Sequence, residues 1–179
     1  MDFNEKTIKS DKIYLGKIIN LRVDTVLLPN GHTSTREIVE HPGGVGIIPV
    51  TDNKEVIMVR QFRKPVGEMC LEIPAGKLNF GEDPYECGVR ELEEETGYKA
   101  KNITSLGHFY STPGFTNEIL YLYMATGLYK GQVKPDEDEF IETEVLPLEK
   151  LVQMVMQGEI KDAKSIIAIL KADMLIKNT

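Results

Sequence analysis

The chain has 179 residues and a mass of 20.2 kDa, room for one compact domain with a small appendage, and at that size roughly 70% of the unfolded surface can be buried without metal or disulfide staples. Its 41% hydrophobic and 27% charged residues are those of an ordinary globular protein and exclude a disordered or fibrous chain. A net charge of −7, from 21 basic and 28 acidic residues, repels phosphate backbones and anionic lipid, so a small anionic substrate needs a local cationic site: a bound metal or a few placed arginines.

The first segment, MDFNEKTIKSDK, alternates charges and lacks the apolar run of a signal peptide, and no stretch approaches 18 apolar residues, so a soluble cytoplasmic protein is expected. Residues 11–28 are β-branched and apolar in partial alternation, and Pro29-Asn30-Gly31 follows as a hairpin turn, because Asn and Gly tolerate positive φ. The return strand is expected over 33–40. His41-Pro42-Gly43-Gly44 punctuates the chain, which suggests a small N-terminal β unit over 1–41 and a main domain over 42–179. Strands are expected at 45–50, 55–61 and 69–73. Asp83 as N-cap, Pro84 at the first helical position and Gly97 at the stop predict a helix over 84–96. Further strands fall at 105–110, 118–126 and 141–146, and helices at 148–157 and 163–176, which makes a mixed α+β fold. Cys70 and Cys87 form no CxxC pair and read as free thiols suited to a reducing compartment. Of the histidines, His32 falls in a turn, His41 precedes Pro42 and His108 reads as a packed strand residue; none is assigned chemistry.

The segment GKLNFGEDPYECGVRELEEETGY, residues 76–98, carries the chemistry. Glu91 and Glu95 are four apart and Glu94 is three from Glu91, so their carboxylates can gather on one side of the helix and suit Mg2+ or Mn2+. A solvated acidic face is the plain alternative. Against it, Glu91, Glu93, Glu94 and Glu95 crowd the negative end of the helix dipole, where each is unfavourable and only Arg90 is near in sequence. Local rules are broken in this way at functional sites.

This segment resembles the signature of the Nudix hydrolase family. Gly76, Glu82, Arg90, Glu91, Leu92, Glu94, Glu95 and Gly97 fill its fixed positions, and only Tyr98, aromatic where an aliphatic residue is usual, departs. The resemblance implies an α/β/α sandwich with a mixed sheet. It also implies a loop-helix-loop site that holds two or three divalent ions, Mg2+ or alternatively Mn2+. Glu91 and Glu95 would be direct ligands, the carbonyl of Ala75 a further one, Glu94 a ligand or its support, and Arg90 the residue that orients a carboxylate. Substrates of such enzymes join a nucleoside diphosphate to another group.

Other features resemble the ADP-ribose pyrophosphatase branch: Pro113 sixteen residues after Gly97, the N-terminal β unit, the Arg36-Glu37 pair, QFRKP at 61–65 and LEIPAGK at 71–77. The branch implies hydrolysis of ADP-ribose to AMP and ribose 5-phosphate, and a homodimer that exchanges its N-terminal units. Arg36 and Glu37 would contact the adenine end and Arg63 the diphosphate, although Arg36 can equally be a strand-surface charge. In the acidic stretch PDEDE, residues 135–139, Glu137 becomes the candidate general base and Glu139 an additional metal ligand, with Glu118 and Glu142 as competitors for the base. Other nucleotide sugars, a dinucleotide or a damaged nucleotide remain as substrates of the same fold, and an ADP-ribose-sensing module remains as a non-catalytic reading.

Overall fold

The computed structural model describes residues 2–132 and 140–178, among which there are ten strands and three helices. By its contacts the chain divides into two compact units, one of residues 1–43 and 110–119 and one of residues 44–109 and 120–179.

In the first unit, β1 (Lys6–Leu15), β2 (Asn20–Leu27) and β3 (Thr33–Glu40) form an antiparallel sheet in that order. The β2–β3 hairpin closes through the expected Asn30-Gly31 turn, where Gly31 has φ 84° and its N–H donates to the Leu28 carbonyl at 2.9 Å. The expected single strand over 11–28 is instead broken into β1 and β2 by a turn at Gly16, whose N–H donates to the Ile19 carbonyl at 3.0 Å. Asp24 is buried on β2, where it accepts from the Ser10 hydroxyl at 2.6 Å and pairs with Arg22 at 3.2 Å. The segment 110–119 pairs with β3: the Val39 N–H donates to the Phe115 carbonyl at 2.8 Å, and the His41 N–H to Asn117 Oδ1 at 2.9 Å.

The second unit has β4 (Gly44–Pro49), β5 (Glu55–Arg63), β6 (Glu68–Glu72), β7 (Ala75–Lys77), α1 (Pro84–Thr96), β8 (Tyr98–Tyr110), β9 (Ile119–Lys130), β10 (Ile141–Pro147), α2 (Leu148–Met156) and α3 (Ala163–Lys177). One sheet runs β7-β4-β9-β8 and is mixed, because β4 is antiparallel to β7 and parallel to β9. The other runs β10-β5-β6 and is antiparallel. β4 is buried on both faces, which follows from its unbroken apolar sequence. Successive residues point to opposite faces. Ile47 packs with Leu92 of α1, whereas Ile48 joins Met58, Ile73, Leu122, Leu151 and Ile169 in the cluster shared with α2 and α3. The result is the α/β/α sandwich, and α1 is held along β4 and β7.

Candidate active site

α1 begins and ends where its sequence directs. The Asp83 carboxylate accepts from the N–H of Tyr85 at 2.9 Å, and Pro84 needs no partner for a missing N–H. At the other end Gly97 takes the left-handed conformation (φ 72°) and donates to the Glu93 carbonyl at 2.8 Å. With both ends fixed, the carboxylates of the last turns are placed by the helix period alone.

Glu91 and Glu95 are 8% and 5% exposed, turned from solvent toward β7. The Ala75 N–H donates to Glu95 Oε2 at 3.1 Å. Gly76 lies directly against Glu91: a Cβ at position 76 would stand 1.9 Å from Glu91 Oε1, so any side chain there must displace that carboxylate. Arg90 sits at the centre of the carboxylates. Its Nη1 lies 2.7 Å from Glu91 Oε1 and 2.8 Å from Glu94 Oε2, and its Nε donates to Glu82 Oε1 at 3.0 Å. Glu82 accepts in turn from the Asn79 N–H at 2.8 Å, which closes the loop before the helix. Burial works against the charge on Arg90, but Glu82, Glu91 and Glu94 together raise its pKa further, so it is a permanent cation. Beside it Cys87 is buried, and that burial with the nearby Glu91 charge pushes its thiol up to about 12.

One arginine thus serves three carboxylates, more than the one expected from sequence, and Lys99 pairs with Glu93 at 3.2 Å. Glu94 is a third exposed and lines an open groove of about 350 Å³ with Glu86, Val89, Arg90, Glu93 and Gln132. Among the described residues no three His, Cys, Asp or Glu side chains converge into a ligand cage. The donor set along β7 still fits a hard divalent cation, because it consists of oxygens only and both deeply buried carboxylates rest on the Ala75-Gly76 backbone. Glu137 and Glu139 lie outside the described residues.

Arg63, at the end of β5, donates from Nε and Nη2 to the two oxygens of Glu72, both at 2.8 Å. The strand that carries it, β5, is in contact with α1. Arg36 and Glu37 lie on β3 of the other unit, where the Arg36 guanidinium is paired with Glu5 at 2.5 Å and Glu37 stands opposite Val23. Pro113 belongs to the segment that pairs with that same strand. Of the competitors for the base, Glu118 lies 3.2 Å from His41 Nδ1, and Glu142 stands opposite Arg60 on β5. His108 is exposed on β8 with its ring tilted on Tyr121 at 5.9 Å, not packed as expected. Cys70 and Cys87 are free thiols. Among the described residues no helix is long and apolar enough to cross a membrane.

Comparison with known proteins places this geometry. Residues 40–168 match the family described as NUDIX domain, and residues 5–39 match the nucleoside diphosphate sugar hydrolase N-terminal domain. The chain is 49% identical over 167 residues to an ADP-ribose pyrophosphatase of Bacillus subtilis (strain 168), covering 92% of this chain and 90% of that one. It is 47% identical over 169 residues to a methanol dehydrogenase activator of Bacillus methanolicus, covering 93% and 91%. A crystal structure of an ADP compounds hydrolase superposes with a TM-score of 0.86 at 21% identity, over 97% of this chain and 95% of that one, which establishes the shared fold. With the signature glutamates on α1, the glycine beneath them and matches along nearly the whole chain, this protein belongs to the NUDIX domain family of divalent-metal-dependent hydrolases.

Proposed function

We propose that the protein hydrolyses the diphosphate of ADP-ribose, giving AMP and ribose 5-phosphate. The observation that carries this reading is the pair of buried carboxylates, Glu91 and Glu95, held on the Ala75-Gly76 backbone. The substrate class is supported by relatives named ADP-ribose pyrophosphatase and by the N-terminal match to a nucleoside diphosphate sugar hydrolase domain. The methanol dehydrogenase activator is named for its effect on another enzyme, so its name leaves the substrate open.

Glu91, Glu95 and the Ala75 carbonyl would hold two or three Mg2+ ions, or Mn2+, with Glu139 as a further ligand and Glu94 as ligand or support. Bound there, the ions would supply charge neutralisation for the diphosphate and the leaving oxygen. The chain's own residues do the rest. Arg63 binds the diphosphate with the guanidinium edge that Glu72 leaves free. Arg90 keeps the Glu82, Glu91 and Glu94 carboxylates in place. Glu137 takes the proton from the attacking water as the water oxygen bonds to phosphorus and the diphosphate bridge breaks. Arg36 and Glu37 contact the adenine end from an N-terminal unit, residues 1–41, which pairs two copies into a homodimer, while residues 42–179 form the catalytic domain. Two free thiols accord with work in the cytoplasm.

The test is a panel of ADP-ribose, other nucleotide sugars and dinucleotides, each incubated with Mg2+ and resolved by chromatography. AMP released preferentially from ADP-ribose is the expected outcome. Preference for another diphosphate would keep the hydrolytic site and move the specificity to different contacts.

A further inference from the structure

A chain of buried charges runs behind Arg63. Glu72 is one of the most buried charged residues, at 2% exposure, and its two oxygens take the Nε and Nη2 hydrogens of Arg63. Its Oε2 also accepts from Lys164 Nζ, on the first turn of α3. Lys164 in turn lies 3.0 Å from Asp162, the N-cap of α3. The Ser165 hydroxyl completes the join, donating to Asp162 at 2.5 Å and accepting from the Ile73 N–H at 2.8 Å. Two cations and two anions therefore alternate along the chain, with Glu72 at its most buried point and Arg63 and Asp162 nearer the surface.

Lys164 is misplaced by local rules. A cation in the first turn of a helix faces the positive end of the dipole, where an acidic residue is preferred. Its own turn offers it the N-cap Asp162 at 3.0 Å, and across the fold it reaches the more deeply buried Glu72. Its position makes sense through Glu72. Alone with Arg63, Glu72 would neutralise the guanidinium that a diphosphate needs. With Lys164 drawing on Oε2, the carboxylate fixes Arg63 in direction while the free edge of the guanidinium keeps its pull on an external anion.

We propose that Glu72 and Lys164 are positioning residues: they hold the Arg63 guanidinium aimed at the diphosphate of the substrate. This rests on the reading of Arg63 given under the proposed function. The test is a double-mutant cycle with ADP-ribose and Mg2+, using Arg63→Ala, Glu72→Gln and the pair, with KM, kcat and Tm measured for each. Glu72→Gln is expected to raise KM about fivefold or more with kcat within about twofold, and to add nothing further in the Arg63→Ala background, because the two act as a unit. Lys164→Met, on the far side of Glu72, is expected to give a smaller KM rise that Arg63→Ala also masks, and it serves the same cycle should Glu72→Gln not fold. Multiplying effects in the double variants, or a lower Tm with KM unchanged, would overturn the positioning role while the wild-type activity stands. A wild-type protein that cleaves no ADP-ribose would overturn both this role and the proposed function beneath it.

Discussion

Gly76 and Glu91 compete for one volume. A methyl at position 76 would stand 1.9 Å from a Glu91 carboxylate oxygen, and only the flexible end of that side chain can give way. Gly76→Ala is therefore expected to leave stability within about 1 kcal/mol of wild type and to lower kcat about 10- to 100-fold; urea unfolding and turnover measured on the same sample check both. Glu72 makes a second prediction at this scale. Burial alone would raise its pKa, but the hydrogen bond from Arg63 and the charge of Lys164 overcome it and hold the carboxyl at about 2, below the ordinary 4.5. A depressed pKa means stability that is fully present above the unfolded value and is lost as pH falls from about 4.5 through about 2. The stability advantage of wild type over Glu72→Gln should thus shrink by roughly 2 kcal/mol between about pH 5 and about pH 3, read from urea titrations at each pH. A constant difference would mean that Glu72 is not held ionised by its partners.

At the scale of elements, α1 is stabilised at both ends and opposed in its last turns. Asp83→Ala removes the side-chain acceptor for the Tyr85 and Glu86 N–H groups and should cost about 1 kcal/mol. Conversely, Glu95→Gln in a chelator should leave stability unchanged or raise it by a few tenths of a kcal/mol, since it removes a charge from the negative helix end; thermal unfolding in EDTA decides. This helix was legible in the sequence because caps, proline and glycine all act locally. The unbroken apolar run of β4 and the Asn30-Gly31 hairpin were legible for the same reason. The break between β1 and β2 was not, because Gly16 is followed by Lys17, Ile18 and Ile19, with none of the polar residues that mark a turn. β7 was not legible either, since three residues between Pro74 and a loop carry no period. β8 begins seven residues earlier than expected, at Tyr98 instead of Ser105, because its first half is polar and edge-like. The Glu72–Lys164 pair spans 92 residues, a separation over which the sequence carries no signal.

For the molecule as a whole, a chain of net charge −7 that acts on an anionic diphosphate needs concentrated positive charge at its site, which Arg63 and the divalent ions held by the α1 carboxylates would supply. β1 leaves Ile8, Ile13, Tyr14 and Leu15 more than half exposed, an apolar surface that accords with the proposed homodimer. Sedimentation should give twice the chain mass of 20.2 kDa, and Ile13→Asp should shift the protein toward monomer; a wild-type monomer at micromolar concentration would remove the exchange of N-terminal units. The α1 carboxylates are tested most directly by turnover of ADP-ribose by wild type and by Glu95→Gln, with Mg2+ and with chelator. AMP and ribose 5-phosphate from wild type with Mg2+, abolished by chelator and reduced by orders of magnitude in a folded Glu95→Gln protein, is the predicted result. Equal turnover by the two proteins would contradict the assignment of the α1 carboxylates as the metal site.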